Sequence, residues 1–421
     1  MTRRETKSFP KVESMKRSMS VLQRGLTLAL VVVVAGSMAC RTAQPVDEEP
    51  EVREPTRYEM ISEATGLSIE MLEQFEQAVA LMQDGEFSRS AELFKSLVER
   101  EDTFAEAHYN LGLLYGDMGR PDEAVQHIQK ARQLDPDVFD YTIAMAKAYA
   151  EAERFDDARR LFGEVITRQP DNLVAKNNLA VIALRQGEEE EAMRYITEIL
   201  REDNKNVGAL NTLGMINMQA GNLSLAKYAL RKALEEDEEY TDALNNLGLV
   251  YMQEDNVPAA VRAFTRAINS DTNYLEARLN LAAILIEYLD YERAHDHFTN
   301  AVRISPQNCV ANLGLGASSF AVGSHQDAYD QYSFYIERCD EEHYSSFVRL
   351  ASLAENRLQR PEDAIRYYTK LIDLSEDRNA IANYRASIQM LESQLEQERQ
   401  QPEAAPEPEP EAEEVADDGE V

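Results

Sequence analysis

The residues of this chain whose side chains could do chemistry are six histidines, three cysteines and a recurring column of asparagines. The histidines are scattered. His295 and His297 stand two apart on a predicted helix, about 200° around its axis, so they cannot jointly hold a metal. They read as surface residues. No Gly-rich phosphate loop, nucleophile elbow or His-Glu-x-x-His pair occurs. Acid runs such as Glu188–Glu191 open predicted helices, where carboxylates stabilise the positive end of the dipole. The sequence therefore predicts no enzyme, no cofactor and no metal site. A formal charge of −33 disfavours nucleic acid and anionic lipid as partners, because phosphates would be repelled. It suits solubility or a basic partner.

The elements that must position the remaining candidates are helices. In Ala105–Val138 a first amphipathic helix runs to about Met118. Gly119-Arg120-Pro121 makes a turn, and a second helix runs from Asp122 to before Asp135-Pro136. Leu111, Gly112 and Tyr115 share one face of the first; Ala124, Ile128 and Ala131 share one face of the second. Gly112 and Ala124 are small where interlocking helices cross. The pattern recurs every 34 residues. From Ala124 the step meets Ala158, Ala192, Ala226, Ala260, Ala294 and Ala328. From Gly112 it meets Ala146, Ala180, Gly214, Gly248, Ala282 and Gly316. From Ile128 it meets Phe162, Ile196, Leu230, Phe264, Phe298 and Tyr332.

This motif resembles a tetratricopeptide (TPR) repeat. The resemblance implies an all-α, right-handed solenoid of about nine helix-turn-helix repeats, which grows by stacking rather than by enlarging one core. The solenoid spans 58–376, with repeats starting near 71, 105, 139, 173, 207, 241, 275, 309 and 343. The first copy is degenerate, with Ser90 in the alanine column. In the last, Ala364, Tyr368 and Leu371 match two residues out of phase, so its first helix or its turn must be longer. Residues 378–400 read as a capping helix. Residues 401–421, with nine acids, four prolines and no basic residue, read as a disordered acidic tail.

Residues 1–39 read as a signal peptide. Basic residues from Arg3 to Arg24 precede the apolar run Leu26–Ala35, and the 16 uncharged residues between Arg24 and Arg41 are short for a membrane span. Met15 offers a second translation start. Small Ser37 and Ala39 suit cleavage after Ala39, which leaves Cys40 first. That arrangement resembles bacterial lipoproteins, although Ser37 stands where their motif has leucine. The resemblance implies lipid on Cys40 and, with Arg41 rather than Asp following, a periplasm-facing place on the outer membrane. Secretion with a free cysteine is the other reading. Residues 40–57 read as a flexible acidic, proline-rich tether, long enough to lift a domain roughly 50 Å off a membrane.

In the TPR family the first helices line a concave groove, and the residues before the Leu-Gly pair face it. Here those are Tyr109, Asn110, Asn177, Asn178, Asn211, Asn245, Asn246 and Asn280. An asparagine donates and accepts at once, so a ladder of them fits the backbone of an extended peptide. Local packing is the competing reading. Leu113, Val181, Leu184, Met215, Met218, Leu249, Met252, Ile286 and Phe320 make the groove apolar further along. Cys309 and Cys339 sit where antiparallel helix ends meet, which admits a disulfide or two free thiols. The resemblance implies a non-catalytic protein-binding scaffold, lipid-anchored in the bacterial envelope. It would support a multiprotein machine of the motility, pilus or secretion type, with gliding-motility TPR lipoproteins as the best match of layout. The alternatives are a periplasmic adaptor or activator of a peptidoglycan hydrolase, and an unlipidated soluble peptide-binding module.

Overall fold

The computed structural model describes residues 57–400. The signal peptide, Cys40, the tether up to residue 56 and the acidic tail 401–421 lie outside the described residues. Within them the chain is helical, with short turns and no strand. A leading helix α1 (Arg57–Thr65) precedes the pairs α2 (Ile69–Gln83)/α3 (Phe87–Arg100) and α4 (Ala105–Asp117)/α5 (Pro121–Leu134). The pairs α6 (Phe139–Glu151)/α7 (Phe155–Arg168), α8 (Leu173–Arg185)/α9 (Glu189–Glu202) and α10 (Val207–Gln219)/α11 (Leu223–Glu236) follow. Next come α12 (Thr241–Gln253)/α13 (Val257–Ser270) and α14 (Leu275–Glu287)/α15 (Tyr291–Ile304). The remainder is α16 (Cys309–Val322), α17 (His325–Arg338), α18 (Tyr344–Asn356), α19 (Pro361–Leu374) and the terminal helix α20 (Arg378–Gln400). The chain divides into two compact units, one up to Ala311 and one from Asn312 onward.

Each pair is built the same way. An asparagine or aspartate often starts a helix by accepting from the amide three residues on, as Asn172 does from Ala175 (2.9 Å) and Asn206 from Ala209 (3.0 Å). The turn between the two helices needs one left-handed residue. Glycine supplies it at Gly85, Gly119, Gly187, Gly221 and Gly323; Glu153, Asp255 and Leu289 are forced into the same conformation at φ of 57°, 58° and 62°. Where the helices cross, the small column is filled by its partner. A Cβ on Gly112 would lie 2.5 Å from Ile128 Cγ1, and one on Gly248 2.5 Å from Phe264 Cε1. Ser90 earns its place in the alanine column by a buried hydrogen bond from its hydroxyl to the Ala78 carbonyl (2.7 Å).

The phase slip of the last repeat has two sources. The loop 339–343 is one residue longer than its counterpart 135–138, and the turn 357–360 one longer than 118–120. The left-handed residue moves with it, to Gln359 (φ 52°). Helix α20 then packs along α19, burying Leu391.

Candidate functional site

The two layers of the first unit are not equivalent. First helices of neighbouring repeats touch directly, α2 with α4, α4 with α6, α6 with α8, α8 with α10 and α10 with α12. The layer whose members approach most closely is the inner one, so the first helices line the inner face. On it, Leu113, Val181, Met215, Met218, Leu249, Met252 and Ile286 remain half-buried. Leu113, Val181, Met215 and Leu249 directly follow the small column, and Met218, Met252 and Ile286 lie one turn beyond it, so the two sets stand three residues apart on one face. Leu184, expected beside them, is buried in the core at 5% exposure. In the second unit Phe320 is half-buried under the guanidinium of Arg349, 4.7 Å from the ring centre.

The asparagines do something else. Asn246 Nδ2 donates to Asn211 Oδ1 (2.9 Å), and Asn280 Nδ2 to Asn245 Oδ1 (2.9 Å). Thr212 Oγ1 donates to Asn177 Oδ1 (3.0 Å). Each bond joins one first helix to the next. These amides are spent stitching consecutive repeats, which is the packing reading of the asparagine column rather than the peptide-backbone one. The physical reason is burial. Asn211 and Asn245 are each 6% exposed, and an amide withdrawn from water must find a partner in the protein. Asn178 and Asn110 instead donate to carbonyls of their own helices, Val174 (2.8 Å) and Glu106 (2.7 Å). Asn110 and Tyr109 are both buried, and the Tyr109 ring lies against that of Tyr141, with centroids 4.8 Å apart. Burial raises the phenol pKa of both tyrosines, with nearby carboxylates adding to it.

Two histidines depart from the surface reading. His108 on α4 is 5% exposed, and its Nδ1 lies 3.0 Å from Nδ1 of His127 on α5. Such a contact requires one nitrogen to donate and the other to accept, so the pair cannot be doubly charged as it stands. Burial is the main cause that lowers both pKa values; Asp102, 3.5 Å from His108 Nε2, opposes it on His108 and Glu123 on His127. His297 is also depressed, by burial and by the charge of Arg278. Among the described residues no group of three His, Cys, Asp or Glu side chains could hold a metal ion. Cys309 and Cys339 are both disulfide-bonded. Glu188 and Glu191, at the start of α9, receive Arg159 from the preceding repeat, so the acid run is a repeat-to-repeat contact.

Tetratricopeptide repeat models match at residues 105–138, 143–207 and 211–274. A tetratricopeptide repeat-containing protein of Caenorhabditis elegans, trd-1, is 27% identical over 109 residues, 26% of this chain. The chain spans 14% of that protein's length. A solved structure described as the functional characterization of Pseudomonas aeruginosa pilF aligns at TM-score 0.44 and 19% identity, covering 51% of this chain and 96% of its own. The crystal structure of MamA aligns at TM-score 0.33 and 23% identity, over 39% and 96%. The chain carries tetratricopeptide repeats, and its fold is an all-α TPR solenoid, an architecture of the non-catalytic, protein-binding scaffold type.

Proposed function

We propose that this protein is a membrane-anchored scaffold of the bacterial envelope, held at the outer membrane through lipid on Cys40 and docking a partner on the inner face of the solenoid. The observation that supports the docking surface is the row of half-exposed methionines and aliphatic side chains on the first helices. Thioethers adapt to varied apolar partners. The neighbouring amides are occupied, which favours an amphipathic segment over an extended peptide read through its backbone. Among the described residues no helix is long and apolar enough to cross a membrane. A motility, pilus or secretion assembly is the machine this layout suits best.

Two experiments test the reading. Radioactive fatty acid should label the wild-type chain and not Cys40→Ala; equal labelling ends the lipid anchor. In-cell crosslinking should capture a defined envelope protein, and Met218→Glu with Met252→Glu should abolish that capture while helicity is unchanged. Undiminished capture by the double variant removes the inner face as the binding surface. Recovery of a peptidoglycan hydrolase alone would replace the machine with an enzyme adaptor.

A further inference from the structure

The repeats serve as one another's controls, and at one place a repeat departs from the others. In the first unit the residue directly after each of the earlier second helices is Glu101, Asp135, Gln169, Asp203, Asp237 or Asp271, every one half-buried. After α15 it is Ser305, at 0% exposure, and its hydroxyl donates to the Met118 carbonyl (2.7 Å), nearly two hundred positions back along the chain. Beside it, Arg303 donates to the Gly85 carbonyl (2.9 Å) and to Asn273 Oδ1 (3.1 Å). The two turns they reach keep the ordinary turn conformation but are crowded where others are open. Gly187 and Gly221 have nothing within 4 Å of where a Cβ would be, whereas one on Gly85 would strike Asn273 Nδ2 at 2.5 Å and one on Gly119 would strike Ser305 Oγ at 2.9 Å. Ile304, at 2% exposure, joins the apolar cluster of the first repeats, and Leu275 packs against the same cluster.

We propose that these contacts form a clasp: the first unit bends through one closed turn, and the clasp bars a polypeptide from entering the inner face sideways until it opens. Within the first unit every repeat is held to the next by whole helix faces. The clasp is held by a few side chains against two turns, so it is the seam of least local stability and the first to part. Closure turns the inner face into an enclosed channel, and clasp opening sets how readily that face is reached. The inference rests on the reading of the inner face as the docking surface, but its test needs no partner.

The test uses the full chain with Cys40→Ser and a single reporter thiol, Met252→Cys, on the inner face; Cys309 and Cys339 are bonded and do not react. Labelling rates are compared for N-ethylmaleimide and for a protein-sized polyethylene glycol maleimide. The clasp is opened with Ser305→Asp, which restores the residue its own column holds elsewhere and sets a carboxylate against the Met118 carbonyl. The bulky reagent should react several-fold faster with the Ser305→Asp chain, while the small reagent reacts equally with both. Arg303→Gln, which removes the charge reaching Gly85, should act in the same direction and serves if Ser305→Asp does not fold. Unchanged bulky labelling in a folded clasp variant overturns the proposal. So does a clasped chain that the bulky reagent labels as readily as the opened one. Either failure leaves the scaffold reading standing, and failure to capture any envelope protein leaves the clasp standing.

Discussion

Leu289 is the residue at which a single substitution tests the turn logic most directly. It occupies the left-handed position of the α14–α15 turn at φ 62°, where most repeats have glycine. A side chain in that conformation costs about 1–2 kcal/mol, because Cβ crowds the following carbonyl. Leu289→Gly relieves this cost and gives back about 0.4–1 kcal/mol through the freer unfolded chain. At 68% exposure the leucine side chain contributes little packing to lose. The expected net is a gain of about 0.5–1 kcal/mol, smaller than the strain itself. Gly187→Leu is the reverse experiment. It stands at φ 77° with nothing within 4 Å of the new Cβ, so strain alone acts, and a loss of similar size is expected. Long repeat arrays do not unfold as one unit, so a single urea midpoint would dilute the effect. Native-state hydrogen exchange of the amides in α14 and α8 reads it locally. Shifts of the same sign in both variants would refute the strain argument, since no other change is shared with opposite sense.

Three further expectations follow from the packing. Asn246→Ala strands the buried side-chain oxygen of Asn211 and should cost about 1–2 kcal/mol of local stability, read by native-state hydrogen exchange in α10 and α12, while Asn178→Ala, whose amide bonds within its own helix, should cost under about 0.5. Gly248→Ala drives a methyl into the Phe264 ring; overpacking of about 1–3 kcal/mol outweighs the roughly 1 kcal/mol gain in helix propensity, and adding Phe264→Ile should recover the loss. Acid should loosen the second repeat. Because the folded pKa of His108 and His127 is lowered, the unfolded chain binds more protons, so their contribution is complete above about pH 6.5 and is lost as pH falls below it. Protection factors in α4 and α5, corrected for the pH dependence of intrinsic exchange, should fall on acidification, and His127→Gln should flatten that slope. The groups facing the pair are Asp102, Lys130, Arg120, Glu123 and Tyr115, and Asp102 is held ionised by Lys130.

The sequence alone determined the repeat. A 34-residue recurrence of Gly or Ala at one column and alanine at another is a statement about where two helices cross, and such local rules are written in neighbouring residues. The small crossing positions and the existence of a slip in the last repeat were legible for that reason. The slip's placement was legible only in part: the turn is longer as expected, but the first helix Tyr344–Asn356 keeps the usual length and the second extra residue lies in the loop before it, because the spacing alone does not say where an inserted residue falls. What only the tertiary structure decided concerns partners distant in sequence. Whether Asn211 faces a ligand or Asn246 depends on how closely consecutive first helices approach, which no single repeat encodes. His108 and His127 looked scattered until two antiparallel helices set their rings side by side. Ser305 stands where the earlier repeats of the first unit carry Glu, Asp or Gln, and nothing local to it says what it touches. Only the accumulated curvature of the repeats from Ile69 to Ile304 carries it to Met118, because a small rotation per repeat becomes a closed turn only when summed.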